Sequence, residues 1–259
     1  MSMRPVLVSE LDERGVDTLW LNRIDRRNSL NAELIAELIT ELRRAEQDPA
    51  VRVVVIAGRG DTFCGGADLA WLRSVADGEA RMDGIESLAQ LLSAVWHFPK
   101  PTLARVQGSA YGGGVGLIAC CDIAIAGFSA RFALPELQLG LIPVVILRHL
   151  LRALGSRQAR RWCLSGEALV GADALRLGLV HKLVAPGELD AEIERQTALL
   201  LRSAPGAART FKRLLTEFTE VADEDARSIA ELATHLQTSA EAREGISAFF
   251  AHRRPAWDR

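Results

Sequence analysis

The run Thr102-Leu103-Ala104-Arg105-Val106 leads into Gln107-Gly108-Ser109-Ala110-Tyr111-Gly112-Gly113-Gly114-Val115-Gly116. It continues as Leu117-Ile118-Ala119-Cys120 and Cys121-Asp122-Ile123-Ala124-Ile125-Ala126. A short β-favouring run (102–106) enters a glycine-rich corner, passes through an apolar helical segment and leaves as a second short apolar run (121–126). A strand that turns into a helix and returns as a strand needs a crossover, and crossovers join parallel strands. This stretch therefore reads as α/β.

The same grammar extends in both directions. Upstream, Val16, Thr18 and Trp20 form a β-favouring segment after the turn Asp12-Glu13-Arg14-Gly15, and 51–57 is a β-branched run bounded by Gly58. Between them Leu34, Ile35, Leu38, Ile39 and Leu42 recur at the helical period. Asn31 stands where an N-cap belongs, Leu30 and Ile35 where a hydrophobic staple would, and Asp48-Pro49 ends the helix. Further helical segments are expected around 69–75 and 85–95, and a further strand at 180–184. From about residue 190 the pattern becomes helical only, over 189–201, 206–221 and 223–250. The organisation expected is a core over 1–195 and a helical C-terminal region over 196–259.

A chain of 259 residues can bury enough surface to fold without a disulfide or metal staple. Lys and Arg number 31 against 33 Asp and Glu, a balance that argues against a polyanion-binding surface. The amino-terminal stretch 1–15 has no long apolar core of the kind a secretory leader carries, and no stretch approaches a membrane span. Cys64, Cys120, Cys121 and Cys163 show no metal-ligand spacing and are expected to be buried thiols. These readings point to a cytoplasmic protein that binds no metal, membrane or nucleic acid.

Candidate chemistry gathers at three places. The corner Phe63-Cys64-Gly65-Gly66-Ala67-Asp68-Leu69 and the corner 107–116 each follow a strand and open a helix. Such glycines serve as tight turns, or they bring backbone N–H groups close to a ligand; two corners converging would build an oxyanion hole. In 132–143, Glu136 lies in apolar surroundings after Pro135. It is either a solvated residue at a helix start or a carboxylate whose burial suits it to proton transfer near neutrality. Asp68 fits an N-cap better than a catalyst, and His97 and His149 lack a nucleophile nearby in sequence. Asp122 reads as a structural carboxylate. The nucleotide fingerprint G-x-G-x-x-G, the P-loop and the G-x-S-x-G elbow are missing.

Together these segments resemble the crotonase (enoyl-CoA hydratase/isomerase) superfamily. The resemblance is an ordered series: 21–31, with Leu21-Asn22-Arg23 and Asn28-Ser29-Leu30-Asn31, then 63–69, 100–108, the triple glycine with 121–126, 135–143, 165–180 and 244–250. It implies a crotonase-like spiral of ββα units with a C-terminal helical trimerisation region, assembled as a homotrimer or a dimer of trimers. It also implies an acyl-CoA thioester as ligand, with no cofactor beyond the coenzyme A of the substrate. By position, Ala67 and Gly113 would offer their N–H groups to the thioester oxygen and Glu136 would carry the proton. Ala67, Asp68, Leu69 and Ala70 would line the CoA site with Ser29, and Arg23, Arg26 and Arg27 would meet its phosphates.

One position departs from the family pattern. Many hydratases of this family hold water with two glutamates; the second matches Glu136, and the place of the first is taken by Gly116. The segment 144–151 and the Gly113-Gly114-Val115-Gly116 junction are similar to methylglutaconyl-CoA and carboxygeranoyl-CoA hydratases, though Pro135 and Val145 replace a Ser and a Thr usual there. The resemblance thus implies hydration of a 2-enoyl-CoA, branched or carboxylated, with one glutamate. Double-bond isomerisation from Δ3 to Δ2 and a CoA-ester-binding role with little catalysis are the alternatives. The run Arg148, Arg152, Arg157, Arg160 and Arg161 is expected to face solvent or CoA phosphates.

Overall fold

The computed structural model describes residues 5–68, 70, 82–139, 141–220, 240, 244, 248 and 251–257. Strands β1 (Leu7–Leu11), β2 (Val16–Leu21), β3 (Val53–Gly58), β5 (Thr102–Val106), β7 (Ile123–Gly127) and β10 (Lys182–Val184) form one sheet in the order β1-β2-β3-β5-β7-β10. All its neighbours are parallel except β1 and β2. A second sheet, β4-β6-β8-β9, is built from Thr62–Cys64, Ser109–Tyr111, Arg131–Ala133 and Leu169–Val170. Each strand β3, β5 and β7 is followed by one strand of the smaller sheet. The chain therefore winds as a spiral of ββα units, the crotonase fold.

Helix α1 (Ala32–Gln47) packs on β1 and β2 of the large sheet, α2 (Met82–Trp96) packs on α1, and α3 (Gly113–Cys120) packs on α2 and on β4 and β6 of the smaller sheet, all within one core. Val54, Ile56, Ala104, Val106, Ala124 and Ala126 point toward them, and the alternate residues Val53, Val55, Leu103 and Ile125 point the other way. There they meet Leu189 and Ile193 of α6 (Leu189–Leu201). A strand buried on both faces reads as a continuous apolar run, as 53–57 does. The chain continues through α4 (Val144–Ser165), α5 (Gly171–Leu177) and α7 (Pro205–Glu220). The expected boundary at 195/196 falls inside α6.

Element ends differ from the sequence reading for local reasons. The run expected from 51 begins pairing at Val53, because Arg52 and Val53 donate to the Gly15 carbonyl of the preceding turn. The strand expected from Cys121 begins at Ile123. Cys121 closes α3, donating to Ile118, and the Asp122 carboxylate turns to accept from the backbone and hydroxyl of Thr102 at 2.7 and 2.8 Å. The strand expected from Val180 begins at Lys182, since Leu179 and Val180 donate back to Ala174 and cap α5. Asn31 caps α1 as anticipated, its side chain accepting from Leu34 N–H at 3.0 Å. Of the helices expected at 69–75 and 223–250, only residues 70, 240, 244 and 248 are described.

Candidate active site

The two glycine corners meet. Gly66 has φ +85°, and a Cβ there would stand 2.9 Å from the Tyr111 carbonyl oxygen. A Cβ on Gly114 would stand 2.7 Å from Cys64 Cβ and 2.9 Å from its sulfur. Any side chain at these positions would push the corners apart. Leu30 N–H donates to Gly66 at 2.7 Å and Asp68 N–H donates to Leu30 at 3.0 Å, forming a single parallel bridge centred on Ala67. In that pairing the N–H of Ala67 faces away from Leu30. Gly113 opens α3, where first-turn N–H groups have no helical acceptor. Neither N–H finds a protein acceptor among the described residues. Two free donors at adjoining corners, one at a helix N-terminus, favour an oxygen that gains negative charge.

Glu136 reaches the same place from the turn after β8. Gly112 has φ +47°, and a Cβ there would stand 2.7 Å from Glu136 Oε1. The carboxylate thus rests on bare backbone next to Gly113. Its other oxygen, Oε2, is buried without a hydrogen-bond partner. Burial pushes the Glu136 carboxyl above its ordinary range, against a weaker opposing pull from its own backbone N–H. Of the two settings expected for this residue, the structure shows the buried carboxylate rather than the solvated one. Across from it, a Cβ on Gly116 would stand 2.5 Å from Ile146 Cγ2 and 3.3 Å from Leu92 Cδ1.

The segment 23–30 braces the first corner. Asn28, buried with φ +54°, donates to the carbonyls of Arg59 and Thr62 at 2.9 and 2.8 Å. Arg23 pairs with Asp68 at 2.9 Å, and the Ser29 hydroxyl donates to the same carboxylate oxygen at 3.2 Å. The other Asp68 oxygen accepts from Ala70 N–H at 2.9 Å. Burial raises the Asp68 carboxyl, and these donors together outweigh it and hold it below its ordinary value. Ser29, Asp68 and Arg23 are thus engaged with one another. Arg26 and Arg27 are exposed, and the Arg27 carbonyl accepts from Gly65 N–H at 2.8 Å, so both flank the first corner. Ala70 is exposed, and Leu69 lies outside the described residues.

The remaining candidates are structural. Asp122 binds Thr102 and the Lys212 ammonium at 2.6 Å, tying α7 to the sheet. His149 is buried with its ring centroid 5.7 Å from that of Trp96; burial, with Arg152 and Arg148, lowers its pKa to about 4, so it is neutral. Arg152 lies 4.3 Å over Trp96, while Arg148, Arg157, Arg160 and Arg161 are exposed. All four cysteines are buried free thiols. Among the described residues no His, Cys, Asp or Glu cluster could hold a metal, and no helix is long and apolar enough to cross a membrane.

The enoyl-CoA hydratase/isomerase family matches residues 12–259, nearly the whole chain. The chain belongs to that family. It is 35% identical over 256 residues to the 2,3-dehydroadipyl-CoA hydratase of Escherichia coli, covering 98% of each chain. It is 31% identical over 247 residues to the mevalonyl-coenzyme A hydratase of Aspergillus fumigatus, covering 92% of this chain and 90% of that one. The crystal structure of an enoyl-CoA hydratase from Shewanella pealeana superposes with a TM-score of 0.92 at 36% identity, over 97% of this chain and 96% of the other. Within this enoyl-CoA hydratase/isomerase, sequence reasoning singled out the corner that holds Gly112 and the segment that holds Ile146, but not their contacts with Glu136 and Gly116. The Ile146 contact left no local signal, because Gly116 is thirty positions away in the chain.

Proposed function

We propose that the protein adds water to, or removes it from, a 2-enoyl-CoA, with Glu136 as the single proton carrier. The observation that carries this reading is the buried, unpartnered Glu136 oxygen beside two unengaged N–H donors. In the hydration direction the Glu136 carboxylate takes a proton from water as the hydroxyl adds to the β-carbon. The electron pair of the double bond moves toward the thioester, whose oxygen gains charge against the Ala67 and Gly113 N–H groups. Glu136 then returns the proton to the α-carbon, so atoms and charge balance. Each such donor lowers the barrier by about 3 kcal/mol. Arg26, Arg27, Ser29 and residues 67–70 form the proposed CoA side of the site, Arg26 and Arg27 from solvent and Ser29 through Asp68.

The acyl group proposed is branched or carboxylated, as in methylglutaconyl-CoA. The names of the dehydroadipyl-CoA and mevalonyl-CoA hydratases, one carboxylated and one branched in its substrate, support this. A second reading, migration of a double bond from Δ3 to Δ2, is favoured by Ile146 standing over Gly116, because isomerisation needs one base and no held water. We also propose that residues 196–259 join copies into a homotrimer or a dimer of trimers, in the cytoplasm; exposed Phe211, Leu215 and Phe218 on α7 support that face being covered by another copy.

Turnover of crotonyl-CoA, 3-methylglutaconyl-CoA and a 3-enoyl-CoA, with products read by mass, tests the assignment. A gain of water that is lost in Glu136→Gln is the expected result. Double-bond migration without a mass change would replace hydration by isomerisation, and CoA-ester binding with no turnover would leave a binding role.

A further inference from the structure

Position 116 has no room for a side chain, and the reason lies in a different helix. A Cβ there would stand 2.5 Å from Ile146 Cγ2 and 3.2 Å from Ile146 Cβ. Gly116 N–H donates to the Gly112 carbonyl at 3.1 Å, so the two glycines are one helical turn apart on α3. Glu136 rests on the first and Ile146 on the second. A Cβ on Gly113, between them, would stand 3.0 Å from Leu30 Cδ1 and 3.6 Å from Leu88 Cδ2, and one on Gly116 would stand 3.3 Å from Leu92 Cδ1. Around Gly113 and Gly116 the nearest side chains are thus the aliphatic Leu30, Leu88, Leu92 and Ile146, while Glu136 stands over Gly112. Ile146 is 3% exposed, and its N–H donates to the carbonyl of buried Pro143 at 3.2 Å in the first turn of α4.

We propose that Ile146 is a specificity-determining residue, its side chain over Gly116 setting how much acyl bulk fits beside Glu136. The proposal rests on the reading of Glu136 as proton carrier. A well-packed aliphatic wall discriminates by size, at roughly 10- to 200-fold per methylene. Shortening Ile146 leaves a void that a longer or more branched acyl group fills in place of the lost methyls. The same packing explains why this chain carries glycine at 116: residue 146 occupies the volume that a side chain at 116 would need.

The test compares kcat/KM for crotonyl-CoA and 2-hexenoyl-CoA in the full-length protein. Ile146→Ala should move the ratio toward the longer substrate by about tenfold or more, and Ile146→Val should fall between it and wild type. Gly116→Ala should lower turnover of both substrates, and adding Ile146→Ala should restore part of it, because the 2.5 Å overlap is with Cγ2. An unchanged ratio in a folded, active Ile146→Ala protein would overturn the proposal. So would a Gly116→Ala defect that is the same with and without Ile146→Ala. If Ile146→Ala does not fold, the Ile146→Val ratio decides in the same way. Glu136→Gln is assayed beside them. Retained turnover there sinks the proton-carrier reading, whereas lost turnover with an unmoved ratio sinks only the role of Ile146.

Discussion

Glu136 keeps an unshared carboxylate oxygen out of water, a costly arrangement for a charged group and one that stability alone would not select. Glu136→Gln preserves shape and hydrogen-bonding capacity while removing the proton carrier, so turnover should fall by about 10²- to 10⁴-fold. Because burial raises the folded-state pKa, the fold prefers the protonated acid. Its stabilising contribution is complete below the ordinary carboxylate range and is lost as pH rises through the raised value. Two outcomes follow for measurement. The melting temperature of Glu136→Gln at neutral pH should exceed that of wild type. The acid limb of kcat/KM for hydration should lie above the ordinary carboxylate range, because the reaction starts from the ionised form. A variant that is both inactive and less stable would place Glu136 among structural residues.

At the scale of elements, the site is where two strand-to-helix corners touch, and their spacing is set by glycine. Gly114→Ala would put a Cβ 2.7 Å from Cys64 Cβ. The corner carrying Gly113 must then shift from the one carrying Ala67. We expect kcat to fall by at least about 10²-fold, the loss seen when one oxyanion donor is displaced, with KM for the CoA ester changed far less. Equal changes in kcat and KM would mean that the corners serve binding only. Away from the site, α1 illustrates an element legible in sequence: period, cap and stop all agree. Asn31→Ala removes the acceptor for Leu34 N–H and should cost about 1 kcal/mol in chemical denaturation, leaving kcat unchanged.

At the scale of the whole molecule, α7 presents Phe211, Leu215 and Phe218 to solvent while Lys212 on the same helix is tied to Asp122. A helix anchored by one face and apolar on another is suited to holding a second copy. If the proposed trimer or dimer of trimers uses this face, Phe211→Glu combined with Leu215→Glu should lower the mass measured by sedimentation toward the monomer; an unchanged mass would remove this face from the proposed assembly. Acid should act on the core through His149. Burial, with Arg152 and Arg148, holds its pKa near 4, so its contribution is present above its ordinary value and lost as pH falls toward 4. His149→Leu should flatten that part of the stability profile.

The sequence by itself determined the α/β class, the position of the glycine corners and the burial-prone setting of Glu136. These depend on local chemistry: strand runs, a 3.6-residue stripe, glycines at corners, a carboxylate among apolar neighbours. The ordered series of motifs added the family, which the match over 12–259 bears out. Strand starts at Val53, Ile123 and Lys182 were less legible, because each is set by a hydrogen bond to a distant or preceding carbonyl or carboxylate. Only the tertiary structure turned Arg23 inward to Asp68, rested Glu136 on Gly112 and placed Ile146 over Gly116. Those contacts join residues far apart in the chain, and a side chain's neighbours across such distances are decided by packing rather than by the pattern around it.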